Sequence, residues 1–294
     1  MANAETIEVP HLGGSRIGHR FDKAYDASLP TLVMVNSFST SVELYRPQFN
    51  DERLTAAANL LAFEPYGHGE TRAAFPQFTY WDSAIANLQA LEALGISQAF
   101  VLGTSQGGWT AARMAMLAPD VVQGILPLGT SMDYESQRSR DLGCWDGIAF
   151  CTPAIDALAE PVDDDWVIPT DLVDAVLQEG FGDVPPDERS FWHEEHQRNY
   201  TGDAGRERLR LISINLRDRD GLEARLDSVR CPVLWMQGTA DRVYSVANAQ
   251  EEIKLFVNST DAQLRVVEGG RHFLSATHPE EVNTAAVEFI DRWK

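Results

Sequence analysis

Cysteine is scarce in this sequence: 294 residues contain three, Cys144, Cys151 and Cys231. An odd count with no C-x-x-C pair supplies neither a disulfide framework nor a structural zinc site. Three reduced thiols suit a cytoplasmic protein. Basic residues are also few. Against 44 Asp and Glu stand 24 Lys and Arg, a formal net charge of −20. Such an excess repels nucleic-acid phosphates and anionic lipid surfaces, so neither is an expected partner. No apolar run approaches the roughly 18 residues of a membrane span. The opening residues show neither the basic stretch nor the apolar core of a secretory signal, so none is expected. Internal repeats and low-complexity tracts are absent as well.

What is present has the make-up of a globular protein, with 44% hydrophobic and 23% charged residues. Residues 6–9 and 16–25 read as an entry hairpin around the Gly13-Gly14 turn signal. The run Thr31-Leu32-Val33-Met34-Val35 is apolar throughout, the pattern of a strand buried on both faces. Further strands are expected at 59–63, 99–102, 121–128, 231–238 and 263–267. Helical periodicity fills the intervals. One such stretch puts Trp81, Ile85, Leu88 and Leu91 on an inner face, and another does so with Val282, Ala286, Phe289, Ile290 and Trp293. This alternation predicts a mostly parallel sheet flanked by helices, an α/β fold. Active sites in such sheets lie beyond the carboxyl ends of the strands.

The cadence breaks between residues 133 and 227. That stretch holds candidate helices punctuated by Pro153, Pro161, Pro169, Pro185 and Pro186, and no buried strand. The expected organisation is an α/β core, 1–132 and 228–294, with an inserted helical lid, 133–227, over the rim. Lid aromatics Trp145, Phe150, Trp166 and Trp192 are candidates for a substrate pocket. His193 and His196 share a lid helix with Glu194 and Glu195. No third ligand is evident, so they read as a solvated face rather than a metal site.

The chemistry centres on Gly103-Thr104-Ser105-Gln106-Gly107. A short apolar strand precedes it and a helix follows, the context that gives G-x-S-x-G its meaning. The turn lifts the Ser105 hydroxyl clear of the backbone. Glycines flank it because strand and helix approach too closely for a Cβ. A serine needs a base to take its proton, and the base needs a carboxylate to fix its tautomer. Ser105, Asp241 and His272 occur in the chain order this architecture uses, each just past an expected strand. Asp133, also at a strand end, is an alternative acid, and His68 in Gly67-His68-Gly69 is an alternative base. The expected oxyanion donors are the backbone N–H groups of Gln106 and Phe38. The nucleophile position holds no carboxylate, which excludes epoxide opening and dehalogenation through an aspartyl ester. This chemistry requires no metal or organic cofactor, and its partner is a small-molecule substrate. Monomer and homodimer both stay open.

These residues resemble the α/β-hydrolase superfamily, nearly throughout the chain outside the lid. Gly103 to Gly108 is similar to the G-x-S-x-G-G of lid-bearing members. Gly67-His68-Gly69 looks like their G-x-G turn, Gly238-Thr239-Ala240-Asp241 like their acid turn, and Gly270-Arg271-His272-Phe273 like their histidine loop. Asn36-Ser37-Phe38-Ser39-Thr40 resembles the N-S-L-G-T loop of 3-oxoadipate enol-lactonases, with Phe and Ser in place of Leu and Gly. Glu64 stands where those relatives often carry Asp. The resemblance implies a lid-bearing serine hydrolase acting on an ester or lactone, and the pocket composition points to a small, mostly apolar one. The same residues also serve carbon–carbon bond hydrolysis, acyl transfer, or hormone-type ligand binding with little turnover.

Overall fold

The apolar runs form the middle of one nine-stranded sheet. In the computed structural model, which describes residues 4–294, β1 (Glu5–Val9) and β2 (Ser15–Phe21) make an antiparallel entry hairpin. Then come β3 (Thr31–Val35), β4 (Asn59–Phe63), the short β5 (Arg72–Ala73) and β6 (Ala99–Thr104). β7 (Val122–Leu128), β8 (Val233–Gly238) and β9 (Ala262–Val267) complete the set. Their spatial order is β1-β2-β4-β3-β6-β7-β8-β9, with β5 beside β2. Every pairing from β4 across to β9 is parallel. β5 carries too few residues to show a periodic signal. β9 differs from the other parallel strands in lying half-exposed at the sheet edge.

Alternation along the strands feeds two cores. Val33, Val35, Leu61 and Val101 point to one face, and Leu32, Met34, Leu60 and Leu102 to the other. The first helices are α1 (Arg46–Phe49) and α2 (Glu52–Ala57), followed by α3 (Tyr80–Ala93) and α4 (Gln106–Leu117). Between β7 and β8 come α5 (Gln137–Asp141), α6 (Gly147–Ala157), α7 (Thr170–Gly180), α8 (Pro186–Asn199) and α9 (Gly202–Arg217). The chain ends with α10 (Val246–Glu252), α11 (Leu274–Thr277) and α12 (Pro279–Trp293). α3 and α4 cover the first face, α1, α2 and α12 the second. α12 buries Val282, Ala286, Phe289 and Ile290 as its spacing requires.

α3 departs from its apolar periodicity. Its fully buried positions are Tyr80, Ser83, Ala84, Ala86, Asn87, Ala90 and Leu91, while Trp81, Ile85 and Leu88 stay half-buried. Small side chains allow α3 to lie close against α4, so close packing overrides the larger residues. The helices between β7 and β8 share an apolar cluster with the rim of the sheet. Phe181, Trp192, Tyr200 and Leu209 from the insertion join Phe38, Trp109, Tyr244 and Phe273. No described helix is long and apolar enough to cross a membrane.

Candidate active site

The turn between β6 and α4 holds Ser105 at φ 56 and ψ −118, a left-handed conformation that costs a non-glycine residue free energy. Three bonds hold it there. The Ser105 N–H donates to the Leu128 carbonyl at 2.8 Å. Its own carbonyl accepts from the Gly108 N–H at 2.8 Å and from the Thr130 hydroxyl at 2.8 Å. A Cβ on Gly103 would lie 2.1 Å from the Gly107 backbone, and one on Gly107 would lie 2.0 Å from the Val35 carbonyl oxygen. The glycines therefore answer the close approach of strand and helix that the motif implies.

Asp241 follows β8 and His272 follows β9. His272 Nε2 lies 2.9 Å from Ser105 Oγ, and its Nδ1 lies 3.1 Å from Asp241 Oδ2. The carboxylate only accepts, so Nδ1 carries the proton and Nε2 is left to accept from the serine hydroxyl. Asp241 is itself fixed by three further donors. Its Oδ1 accepts from the N–H groups of Val243 and Tyr244, at 2.8 and 3.0 Å. Its Oδ2 also accepts from the Gln237 amide at 2.8 Å. The Ser105 side of this chain is sheltered: Ser105 is 4% exposed and His272 5%.

The Gln106 N–H opens α4, where no helical acceptor exists for it. The loop after β3 is braced internally: the Asn36 amide donates to the Thr40 carbonyl at 2.8 Å, and the Thr40 hydroxyl to the Ser37 carbonyl at 2.9 Å. Ser39 in that loop has φ 56. Among the described residues, the Phe38 N–H has no backbone or side-chain acceptor. Among the described residues, both N–H groups are thus left without a protein acceptor.

Asp133 does not reach His272. It lies four residues beyond Gly129, the residue that sits against Asp241 and the His272 carbonyl. The chain turns away there, and Asp133 accepts from the Ser136 hydroxyl and from the Tyr134 N–H. Its carboxylate joins those of Glu223 and Glu252 within 4.8 Å. Arg138 crosses this acidic group, 2.8 Å from Glu223 and 3.9 Å from each of the other two.

His68 contacts the Gln106 side chain instead of Ser105. His196 is not on a solvated face. It is fully buried and bonds Ser39, while the neighbouring Glu195 accepts from the Ser41 hydroxyl. His193 turns the other way, to Asp174, so the two imidazoles share no ligand position. A hydropathy pattern cannot signal this, because the side of α8 that docks on the rim is polar.

Of the four aromatics expected to line a pocket, Trp192 lies against Phe181 and borders a cleft of about 600 Å³ whose lining includes Leu44 and Arg271 but not Ser105, Asp241 or His272. Trp145 stacks on Phe150, ring centroids 4.8 Å apart. Trp166 sits in the loop before α7, where its backbone pairs with Asp163 and Gly202. The rings that flank His272 are Tyr244 and Phe273, with centroids at 5.6 and 5.5 Å. Sequence reading passed over both, although each adjoins a site turn in the chain.

A nearly parallel sheet with a serine on a strand–turn–helix, a histidine and a carboxylate within hydrogen-bond reach define the class of fold and site. The chain belongs to the alpha/beta hydrolase family, whose model it matches over residues 32–285. A stretch of polyketide synthase ThaQ from Burkholderia thailandensis is 29% identical over 218 residues, 71% of this chain but 9% of that protein. The chain thus spans a small part of that relative's length. An esterase from Thermogutta terrifontis superposes with a TM-score of 0.78 at 15% identity, covering 98% of this chain and 99% of that one. The enol-lactonase of Burkholderia xenovorans LB400 superposes with a TM-score of 0.76 at 18% identity, covering 97% and 100%. At such identities these structures establish the fold.

Proposed function

We propose that the protein is a serine hydrolase that cleaves a small, mostly apolar carboxylic ester or lactone. The observation that carries this reading is the continuous line from Asp241 Oδ2 through His272 to Ser105 Oγ, with contacts of 3.1 and 2.9 Å. His272 takes the Ser105 proton as the oxygen attacks the carbonyl carbon. The N–H groups of Gln106 and Phe38 receive the oxyanion, and Asp241 stabilises the imidazolium. His272 then protonates the leaving alcohol, and water repeats the cycle on the acyl-enzyme. In this reading the helices of 133–227 act as a lid, and Trp145, Phe150, Trp166 and Trp192 are its candidates for contact with substrate. The unpaired state of all three thiols supports a cytoplasmic site of action.

A fluorophosphonate probe should label one peptide, the one containing Ser105, and steady p-nitrophenyl ester turnover should vanish in Ser105→Ala. Labelling elsewhere, or turnover that survives the substitution, refutes the scheme.

A further inference from the structure

Two buried histidines outside the proposed triad have tautomers dictated by their partners. His68 Nδ1 faces the Tyr66 carbonyl at 3.0 Å. A carbonyl only accepts, so Nδ1 carries the proton and Nε2 is an acceptor. The Gln106 side-chain amide donates to that Nε2 at 2.9 Å, and its oxygen accepts from the Tyr80 hydroxyl at 3.0 Å. His196 repeats the arrangement. Its Nδ1 donates to the Trp192 carbonyl at 2.7 Å, and its Nε2 accepts from the Ser39 hydroxyl at 3.0 Å. Burial keeps both imidazoles neutral, lowering each pKa to about 4.

The partners of these histidines are specific. Gln106 supplies one proposed oxyanion donor. Ser39 follows Phe38, which supplies the other. Ser39 also sits at φ 56, a conformation unfavourable for an L-residue that persists only where surroundings hold it. A second tie from α8 reaches the same loop, because Glu195 accepts from the Ser41 hydroxyl at 2.9 Å.

We infer that His68 and His196 are positioning residues, each accepting one hydrogen bond that fixes one of the two backbone oxyanion donors. The inference rests on the serine-hydrolase reading and adds to it a dependence of the oxyanion site on the inserted helix α8. His196 ties that helix to the Phe38 loop, so the donor is in place only while α8 is docked. The interaction matters most when charge develops on the carbonyl oxygen, so its loss falls on turnover rather than on substrate binding.

The test uses Asn and Gln at both positions. In His68→Asn and His196→Asn the shorter amide reaches the place of Nδ1 and leaves that of Nε2 empty. Gln carries an amide oxygen close to Nε2. Both Asn variants should lower kcat for a p-nitrophenyl ester by about tenfold or more, with KM nearly unchanged. Inhibition by phenylboronic acid, which forms a tetrahedral adduct on a serine, should weaken by a similar factor. The Gln variants should recover most of both. Ser39→Ala should match His196→Asn, and combining them should cost little more than either alone. If an Asn variant does not fold, Ser39→Ala decides the His196 arm and Gln106→Met the His68 arm. Wild-type kcat in these variants, or Gln variants no better than Asn, overturns the inference. Turnover persisting in Ser105→Ala would instead overturn the underlying reading, so the two failures are distinguishable.

Discussion

Asp241 and Asp133 each follow a strand of the same sheet, and a single turn separates their roles. At Gly129 the backbone passes against Asp241 and the His272 carbonyl. A side chain four residues further on is then committed to the Glu223–Glu252 group and turned away from the imidazole. The order Ser, acid, His was legible because chemistry fixes the residue types and the fold fixes their sequence in the chain. The sequence favoured Asp241 and kept Asp133 as the alternative, since both positions satisfy that order. The proposed scheme makes the distinction measurable. Asp241→Asn leaves Oδ1 able to accept but puts an amide beside His272 Nδ1, favouring the wrong tautomer. It should lower kcat by about 10³- to 10⁴-fold. Asp133→Asn should leave kcat within about twofold, since its neighbours are Ser136, Tyr134 and Arg138. The reverse pattern in ester-hydrolysis kinetics would exchange the two assignments.

At the scale of elements, the strand–turn–helix around Ser105 depends on close backbone approach, and its glycines are not interchangeable with others in the chain. Gly107→Ala would drive a methyl group to 2.0 Å from the Val35 carbonyl oxygen, a backbone atom that cannot swing aside. The expected cost is about 3 kcal/mol or more, a fall of roughly 5 °C or more in melting temperature. Gly95→Ala is the control. Its φ is +74, but nothing lies within 4 Å of the added carbon, so only conformational strain of about 1 kcal/mol is expected. Calorimetry on the two variants checks the ranking, and equal losses would deny the close approach. The glycine pattern and the apolar strands were legible because they report backbone geometry and two-sided burial. The inner face of α3 was not, because Ala84, Ala86 and Ala90 bury through closeness to α4 while Trp81 and Leu88 remain at the margin. α8 was misread for a related reason. Glu195 and His196 are buried by hydrogen bonds to Ser41 and Ser39, and periodic hydrophobicity carries no record of a polar docking face.

For the whole molecule, the acid excess and the buried titratable groups together set how stability responds to pH. Burial holds the Glu252 carboxyl up to about 7 from an ordinary 4.5, and Glu223, beside Asp133, also rises to about 7. Glu64 and Glu195 shift upward from the same cause. In each case the fold retains a proton that the unfolded chain releases. The stability they contribute is therefore complete below pH 4.5 and is lost as pH rises above it, for Glu252 and Glu223 through about 7. His68 and His196 act in the opposite sense. Their pKa values fall from 6.5 to about 4, so the unfolded chain takes up protons first and stability declines as pH drops from 6.5 toward 4. The two trends oppose one another between 4.5 and 6.5, and above 6.5 only the carboxyls act. The melting temperature should therefore fall between pH 6.5 and 8. Arg138 offsets this only in part, standing 3.9 Å from Glu252 with its own side chain 44% exposed. Glu252→Gln retains one oxygen in the place of Oε2, which accepts from the Met132 N–H at 2.5 Å and the Ser131 hydroxyl at 3.3 Å, but it has no proton to lose. Its melting temperature should exceed that of the parent at pH 8 by more than at pH 5. Parallel curves for the two proteins across that range would show that Glu252 ionises in the fold as it does in the open chain.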